Sequence, residues 1–183
     1  DGAFPAMDQL RSEGLVKSIG LGVNQWEVCH QALIERDFDS FLLAGRYTLL
    51  EQDALESFLP LCEQRDVGII LGGPYNSGIL ATGAVPGAKY NYADAPPEIL
   101  ERVRRIEDVC RSHSVPLIAA ALQFVLGHPS VKTVIPGAVN AAEVEANIAL
   151  LKTDIPAALW SDLRSAGLIR PDAPLPSETT HVA

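Results

Sequence analysis

Short, almost continuously apolar runs alternate with helical patterns along this chain, and that alternation restricts the fold more than any other feature. The apolar runs, rich in Val, Ile and Leu, cover 16–23, 40–47, 67–71 and 131–135. Helical patterns cover 4–13, 25–36, 53–64, 97–111, 117–127, 141–152 and 157–165. Strands that are apolar throughout are typical of parallel sheets buried on both faces, and whole helices between them require crossover connections. We therefore predict an α/β fold with a parallel sheet that is buried on both faces and wrapped by helices.

A weak internal repeat narrows this fold class. Three of the four strands begin at a valine and leave through a glycine to an asparagine, over 16–24, 67–76 and 131–140. Repeated strand–helix units of this kind favour a parallel (β/α)8 TIM barrel over a doubly wound sheet. Such a barrel has eight units and about 250 residues, whereas this chain provides four. We assign residues 1–170 to one part of a single barrel and 171–183 to a loose C-terminal tail.

Charge and cysteine content exclude several classes of function. The net charge is −9 and the pI is near 4.8, so the chain lacks the basic stripe that a nucleic-acid backbone or an anionic membrane requires. No apolar run approaches the roughly 20 residues of a membrane span. Cys29, Cys62 and Cys110 have no zinc-ligand spacing, which indicates reduced thiols in a cytoplasmic protein.

The loops that follow the strands are the candidates for function, since active sites of parallel barrels lie at the carboxyl ends of the strands. These loops begin at 22–24, 46–47, 72–78 and 136–138, and three are rich in glycine. The last opens onto a helix N-terminus, where free N–H groups favour phosphate. Asn24 is expected to cap the helix over 25–36, and 72–96 is predicted to be a long loop. A Rossmann fingerprint is rejected, because Gln25 occupies the position of its third glycine.

Four stretches in and around these loops resemble the aldo-keto reductases, which are barrel enzymes that bind a nicotinamide cofactor in an extended form. Residues 19–24 resemble a strand that ends in Ser-Asn, and 47–50 resemble a Tyr-Ser-Leu motif. Residues 74–80 resemble the loop after the seventh barrel strand, and 135–147 resemble the cofactor motif of the eighth. The resemblance implies that this chain supplies roughly the C-terminal four units of the barrel, and it is strongest to the aldose dehydrogenase and pyridoxal 4-dehydrogenase branch.

The resemblance also implies a cofactor-binding set. Asn24 would hydrogen-bond the nicotinamide carboxamide, Gly137 and Ala138 would face the adenosine ribose or its phosphate, and Asn147 would meet the adenine. Glu143 could accept hydrogen bonds from ribose hydroxyls. The loop expected to cross the pyrophosphate comprises Gly73, Pro74, Tyr75, Asn76, Ser77 and Gly78.

Departures from the family pattern bear on the choice of cofactor. Gly137 stands where NADP-specific members often have Lys, and Glu143 where they have Arg, so a 2′-phosphate would lack a cation to pair with. We therefore predict NAD as cofactor, with NADP less favoured. Gly72 replaces a Tyr that stacks on nicotinamide, and Ala44 replaces a Gln, so two further cofactor contacts of the family are not expected here.

No catalytic residue is assigned within this chain, because the catalytic Asp, Tyr, Lys and His of the family come from the first four barrel strands. Since the chain does not begin with Met, we expect that those strands precede it in a parent enzyme. The resemblance implies that the parent oxidises an aldose or a related aldehyde or alcohol with NAD(P), and that this chain alone is inactive. One alternative is a non-catalytic half-barrel that binds nucleotide, a partner chain or a second copy of itself; another is a phosphosugar-metabolising barrel. Loop 81–96 could line the pocket or lie on the surface.

Overall fold

The computed structural model describes residues 2–176, and within this range a parallel sheet carries helices on one side. The strands are β1 (Gly20–Val23), β2 (Ser40–Ala44), β3 (Gly68–Gly72), β4 (Lys89–Tyr90), β5 (Ala93–Asp94) and β6 (Val131–Ile135). The helices are α1 (Ala3–Ser12), α2 (Trp26–Glu35), α3 (Phe58–Gln64), α4 (Ile79–Thr82), α5 (Pro97–Ser112), α6 (Leu117–Val125), α7 (Ala141–Leu150) and α8 (Ala157–Ser165).

The central sheet has four strands in the order β1-β2-β3-β6, and all of its pairs are parallel. Leu21 lies beside Phe41, Phe41 beside Ile69 and Ile69 beside Val131. This register places the carboxyl ends of all four strands along one edge, so the loops that follow them are neighbours. The predicted parallel α/β sheet is confirmed.

One face of the sheet forms the hydrophobic core. Phe41, Leu43, Ile69 and Leu71 alternate on this face and are fully buried. Phe41 makes an edge-to-face contact with Phe58 of α3, with ring centroids 5.3 Å apart. Burying an aromatic or aliphatic side chain of this size stabilises a fold by about 1.5–3 kcal/mol, so this layer holds the strand–helix units together.

The opposite face of the sheet is open, and here the prediction of burial on both faces is wrong. Leu42 of β2 is 38% exposed and Ile135 of β6 is 51% exposed. Thr133, two residues before Ile135 on β6, is exposed as well. The strands are apolar on both sides, but no segment among residues 2–176 covers this second side. Its residues therefore contact solvent although they have the composition of a core.

Two predicted element boundaries are wrong for local reasons. The first strand begins at Gly20 and not at residue 16, because the N–H of Ile19 donates to the carboxylate of Asp39 at 2.7 Å instead of joining the sheet. That hydrogen bond, helped by Arg11 at 2.9 Å, lowers the pKa of Asp39. β2 ends at Ala44, because Gly45 turns the chain with a φ of 66°.

Three further expectations are corrected. Asn24 does not cap α2: the helix begins after Gln25, without a side-chain cap. The segment predicted as a helix over 53–64 consists of a 3-10 turn, Asp53–Glu56, followed by α3. The long loop 72–96 contains α4 and the β4–β5 hairpin.

The predicted tail lies partly outside the described residues. Residues 177–183 are not described, whereas 171–176 continue from α8 along the core. Ala173 is buried, and its carbonyl accepts a hydrogen bond from Arg164 of α8 at 2.9 Å. The first part of the predicted tail therefore packs against the domain, and the assignment of 1–170 to one barrel part stays a prediction.

The two faces of β2 predict different costs for neighbouring substitutions. Leu43→Ala should lower the free energy of unfolding by about 2–5 kcal/mol, because it opens a cavity in the helix-covered core. Leu42→Ala, the matched control on the open face, should cost less than about 1 kcal/mol. Urea unfolding of this 183-residue polypeptide measures both. Equal losses of stability in the two variants would contradict an open face, because they would mean that Leu42 is buried.

Candidate functional site

The loops at the carboxyl edge of the sheet enclose a small polar pocket. It lies where the ends of β1 and β2 meet the loop after β3 and the tip of the β4–β5 hairpin. Its lining residues are Asn24, Ala44, Gly45, Arg46, Gly73, Asn76, Ser77, Asn91 and Tyr92. Four of the predicted cofactor residues are therefore brought together, namely Asn24, Gly73, Asn76 and Ser77.

Asn76 is the best-buried polar side chain of this pocket, at 3% exposure. Its Oδ1 accepts a short hydrogen bond from the hydroxyl of Thr48, and its Nδ2 donates to the carbonyl of Gly45 at 3.1 Å and to Glu51 at 3.3 Å. The residue has a φ of 46°, a left-handed conformation that Asn tolerates better than most residues. Because its amide is occupied by the protein, Asn76 shapes the loop from within.

Arg46 connects three segments around the same pocket. Its Nε donates to the carbonyl of Asn24 at 3.2 Å, and its Nη1 donates to Glu51 at 3.0 Å and to Oδ1 of Asn91 at 2.9 Å. These partners follow β1, β2 and β4 respectively. The sequence alone does not indicate Arg46 as a site residue, because no local pattern predicts a partner 45 residues away in the chain.

A second part of the site lies beside α7, where Tyr75 meets Asn147. The Tyr75 hydroxyl donates to Oδ1 of Asn147 at 2.7 Å. Burial raises the pKa of Tyr75 to about 12, so the phenol stays protonated and keeps this donor role at neutral pH. The contact ties the loop after β3 to the helix after β6, which are the two segments expected to hold the pyrophosphate and the adenosine.

The turn before α7 is organised by a capping box. Oδ1 of Asn140 accepts from the N–H of Glu143 at 3.0 Å, and the Glu143 carboxylate accepts from the N–H of Val139 at 3.0 Å and from the Asn140 side chain at 3.3 Å. Reciprocal caps of this kind satisfy the free N–H groups of a helix N-terminus. Both oxygens of Glu143 therefore have partners in the protein, while Gly137 and Ala138 are exposed.

Space around Gly137 is open. A side chain built there would meet nothing within 4 Å, so backbone and ligand could approach each other closely. Of the predicted loop after β3, Gly73 and Ser77 are exposed, whereas Pro74 and Tyr75 are buried and Gly78 is half-buried. The surface available to a ligand is therefore formed mainly by backbone and small side chains, and this agrees with the glycine-rich sequence.

Tyr47 is a buried tyrosine of a different kind. It packs against the rings of Phe124 and His128, at centroid distances of 5.5 Å. Among the residues that the structure describes, its hydroxyl has no hydrogen-bond partner. Burial is the main cause that raises the pKa of this phenol, so it stays protonated and does not serve as a base.

Two of the histidines, His113 and His128, occupy structural positions. His128 is 2% exposed, its Nδ1 accepts from the N–H of Ser130 at 3.1 Å, and burial lowers its pKa. His113 pairs with Asp162 at 2.8 Å between α5 and α8. Within residues 2–176, no cluster of His, Cys, Asp and Glu could hold a metal ion, and no helix there combines the length and hydropathy of a membrane span.

Repeated strand–helix units with polar, glycine-rich loops at the carboxyl edge of a parallel sheet define an α/β protein. The sequence model of the aldo/keto reductase family matches residues 1–167. The chain therefore belongs to the aldo/keto reductase family.

Two curated relatives are similar over nearly all of this chain. Pyridoxal 4-dehydrogenase of Microbacterium luteolum is 44% identical over 168 residues, which are 92% of this chain and 49% of the relative. D-threo-aldose 1-dehydrogenase of a Pseudomonas species is 41% identical over 168 residues, which are 91% of this chain and 51% of the relative. The chain thus spans about half the length of the curated relatives it matches.

Solved structures agree on the fold. An aldo-keto reductase of Bacillus halodurans in its apo form superimposes with a TM-score of 0.70 at 23% identity, over 88% of this chain and 54% of that one. Its holo form superimposes with a TM-score of 0.69, also at 23% identity and over the same fractions of both chains. The loop motifs predicted a resemblance to the aldo-keto reductases, and the family model and the curated relatives confirm it.

Two buried tyrosines offer a matched test of the site's hydrogen bonding. Tyr75→Phe should lower the free energy of unfolding by about 0.5–1.5 kcal/mol, because it removes the hydrogen bond to Asn147. Tyr47→Phe should be neutral or stabilising by up to about 1 kcal/mol, because it removes a buried hydroxyl without a partner. Urea unfolding gives both values. A larger loss for Tyr47→Phe than for Tyr75→Phe would contradict this assignment.

Proposed function

We propose that this chain is the cofactor-binding part of a nicotinamide-dependent oxidoreductase built on a (β/α)8 barrel. In the complete barrel, four further strand–helix units would close the sheet against its open face, where Leu42 and Ile135 are exposed. The observation that carries the proposal is the arrangement of the carboxyl-edge loops, in which an exposed asparagine, a glycine loop and the start of α7 lie along one edge.

The residues present fit an extended dinucleotide. Asn24 is exposed at the pocket, and a side-chain amide can both donate to and accept from the nicotinamide carboxamide. The exposed backbone at Gly73 and Ser77 would face the pyrophosphate. Gly137 and Ala138 would face the adenosine ribose, and Asn147 would lie near the adenine. When bound, the nicotinamide would supply the hydride acceptor or donor, and the chain's own residues would hold and orient it.

The same residues favour NAD over NADP. None of the candidate residues is Lys or Arg, and the Glu143 carboxylate, which accepts from the N–H of Val139 in the turn before α7, would repel a 2′-phosphate bound at this turn. Glu143 is engaged in its capping box, so we assign it this repulsive role ahead of a hydrogen bond to the ribose.

The proposed substrate follows from the two curated relatives, whose names state oxidation of pyridoxal and of a D-threo-aldose. We infer that the whole protein oxidises an aldose or a related aldehyde or alcohol. The nicotinamide, held by Asn24, would supply the hydride acceptor, and the hydroxyl of an alcohol, a lactol or a hydrated aldehyde would lose its proton to a general base. We assign that base to the part of the barrel outside this chain, since Tyr47 and Tyr75 are buried and engaged in packing or hydrogen bonding.

Direct titration tests the proposed cofactor site. NADH added to this polypeptide should quench the fluorescence of Trp26, which is half-buried and lies two residues after Asn24. NADPH should bind more weakly, since none of the candidate residues is a Lys or Arg that could pair with its phosphate. Tighter NADPH binding would overturn the preference, and the absence of NADH binding would overturn the proposed site. Binding without aldose oxidation by the complete protein would favour the non-catalytic alternative.

A single substitution should change the cofactor preference. Gly137→Lys places a cation in open space, beside the expected position of the ribose. It should raise the affinity for NADPH relative to NADH roughly threefold to tenfold, as expected of an exposed ion pair with phosphate. Gly137→Ala is the matched control, since it fills the same space without charge. Calorimetric titration of both variants with both cofactors measures the ratio, and an unchanged ratio would contradict the placement of Gly137.

A further inference from the structure

The tip of the β4–β5 hairpin has an unusual backbone. Asn91 and Tyr92 are consecutive and have φ angles of 49° and 66°. Two-residue hairpin turns often require positive φ at both central positions, where Asn and Gly are preferred. A bulky residue such as Tyr is an outlier there. The turn would form more readily with glycine at position 92, so the presence of Tyr calls for a reason other than the turn itself.

The ring of Tyr92 contributes little to packing, because the residue is 86% exposed. Its backbone, in contrast, is held firmly against the candidate site. The N–H of Tyr92 donates to the hydroxyl of Ser77 at 3.0 Å, and Oδ1 of Asn91 accepts from Arg46 at 2.9 Å. Both anchors belong to the pocket that Asn24 lines. The protein thus fixes an exposed aromatic residue at the rim of this pocket.

We propose that Tyr92 is a cofactor-contact residue, whose ring packs on the nicotinamide end of the dinucleotide, and that Arg46 is the positioning residue that holds the hairpin in place. This inference rests on the proposed function, because Asn24 defines the nicotinamide end. Aromatic side chains stack on planar heteroaromatic rings, and because the backbone of Tyr92 is already fixed, only the freedom of its side chain is lost on binding. Loop 81–96 is thereby assigned to the site and not to the remote surface.

A glycine substitution at position 92 distinguishes a role of Tyr92 in forming the turn from a role in contacting the cofactor. Tyr92→Gly relieves the left-handed backbone and keeps the turn, but it removes the ring. The variant should therefore be at least as stable as the unmodified chain and bind NADH roughly fivefold to tenfold more weakly. Tyr92→Phe retains the ring and should restore the affinity, since no hydrogen bond of the Tyr92 hydroxyl enters the argument.

ADP-ribose, which lacks the nicotinamide, identifies the end of the cofactor that Tyr92 contacts. Its affinity should differ by less than about twofold between Tyr92→Gly and the unmodified chain, because it has no nicotinamide ring for Tyr92 to stack on. Arg46→Lys should weaken NADH in the unmodified background and have a smaller effect on top of Tyr92→Gly, because part of its effect passes through the same contact and the rest through the carbonyl of Asn24.

The titrations have distinct outcomes. Equal NADH affinity in Tyr92→Gly and Tyr92→Phe would overturn this proposal and leave the cofactor site standing. Equal losses for NADH and ADP-ribose would overturn the nicotinamide placement. Additive losses for Arg46→Lys and Tyr92→Gly would overturn the positioning role. If the unmodified chain bound no NADH, the proposed function would fail and this inference with it.

Discussion

The side-chain amide of Asn76 fixes the relation between the two central loops of the site, and the rest of the carboxyl edge depends on that relation. Its hydrogen bonds reach the backbone at Gly45 and the side chains of Thr48 and Glu51. A buried amide without partners would cost about 1–3 kcal/mol. The hydrogen bonds of Asn76 therefore favour the conformation in which the loop after β3 is found. Glu51 in turn holds Arg46, and through Arg46 the hairpin tip and the end of β1 are fixed as well.

The two faces of the sheet differ: one is packed against helices, and the other is exposed to solvent. The helix-covered face has the packed aromatic and aliphatic layer around Phe41 and Leu43, and this layer alone gives the strands their order and register. The open face presents the same kind of residues to solvent, for example Leu42 and Ile135. Contiguous exposed apolar surface is normally a site of association, and β1 and β6 are unpaired edges of this sheet. A protein that keeps such a face is suited to pack a further layer against it, which agrees with the barrel that we propose.

The sequence was a good guide to the strands and helices and a poor guide to contacts between distant loops. Parallel strands could be predicted because their apolar runs are dense and separated by helices. The start of β1 could not, because Val16 is apolar but the Asp39 carboxylate takes the N–H of Ile19 out of the sheet. Glycines at 73 and 137 indicated which loops form the candidate site, since they occur where strands end. Arg46 and Tyr92 gave no such indication, because their importance comes from partners far along the chain and from a backbone conformation that local sequence does not encode.

The protein itself occupies several polar groups of the candidate site, both buried and exposed. Asn76, Tyr75 and Glu143 have their hydrogen bonds satisfied internally. Asn24 and the backbone at Gly137 are exposed. A surface organised in this way has little to reorganise when a ligand arrives, and preorganisation of this kind improves affinity without additional contacts. In the function that we propose, selectivity between NAD and NADP would depend on charge at a few exposed positions and not on the buried framework, which would be the same for either cofactor.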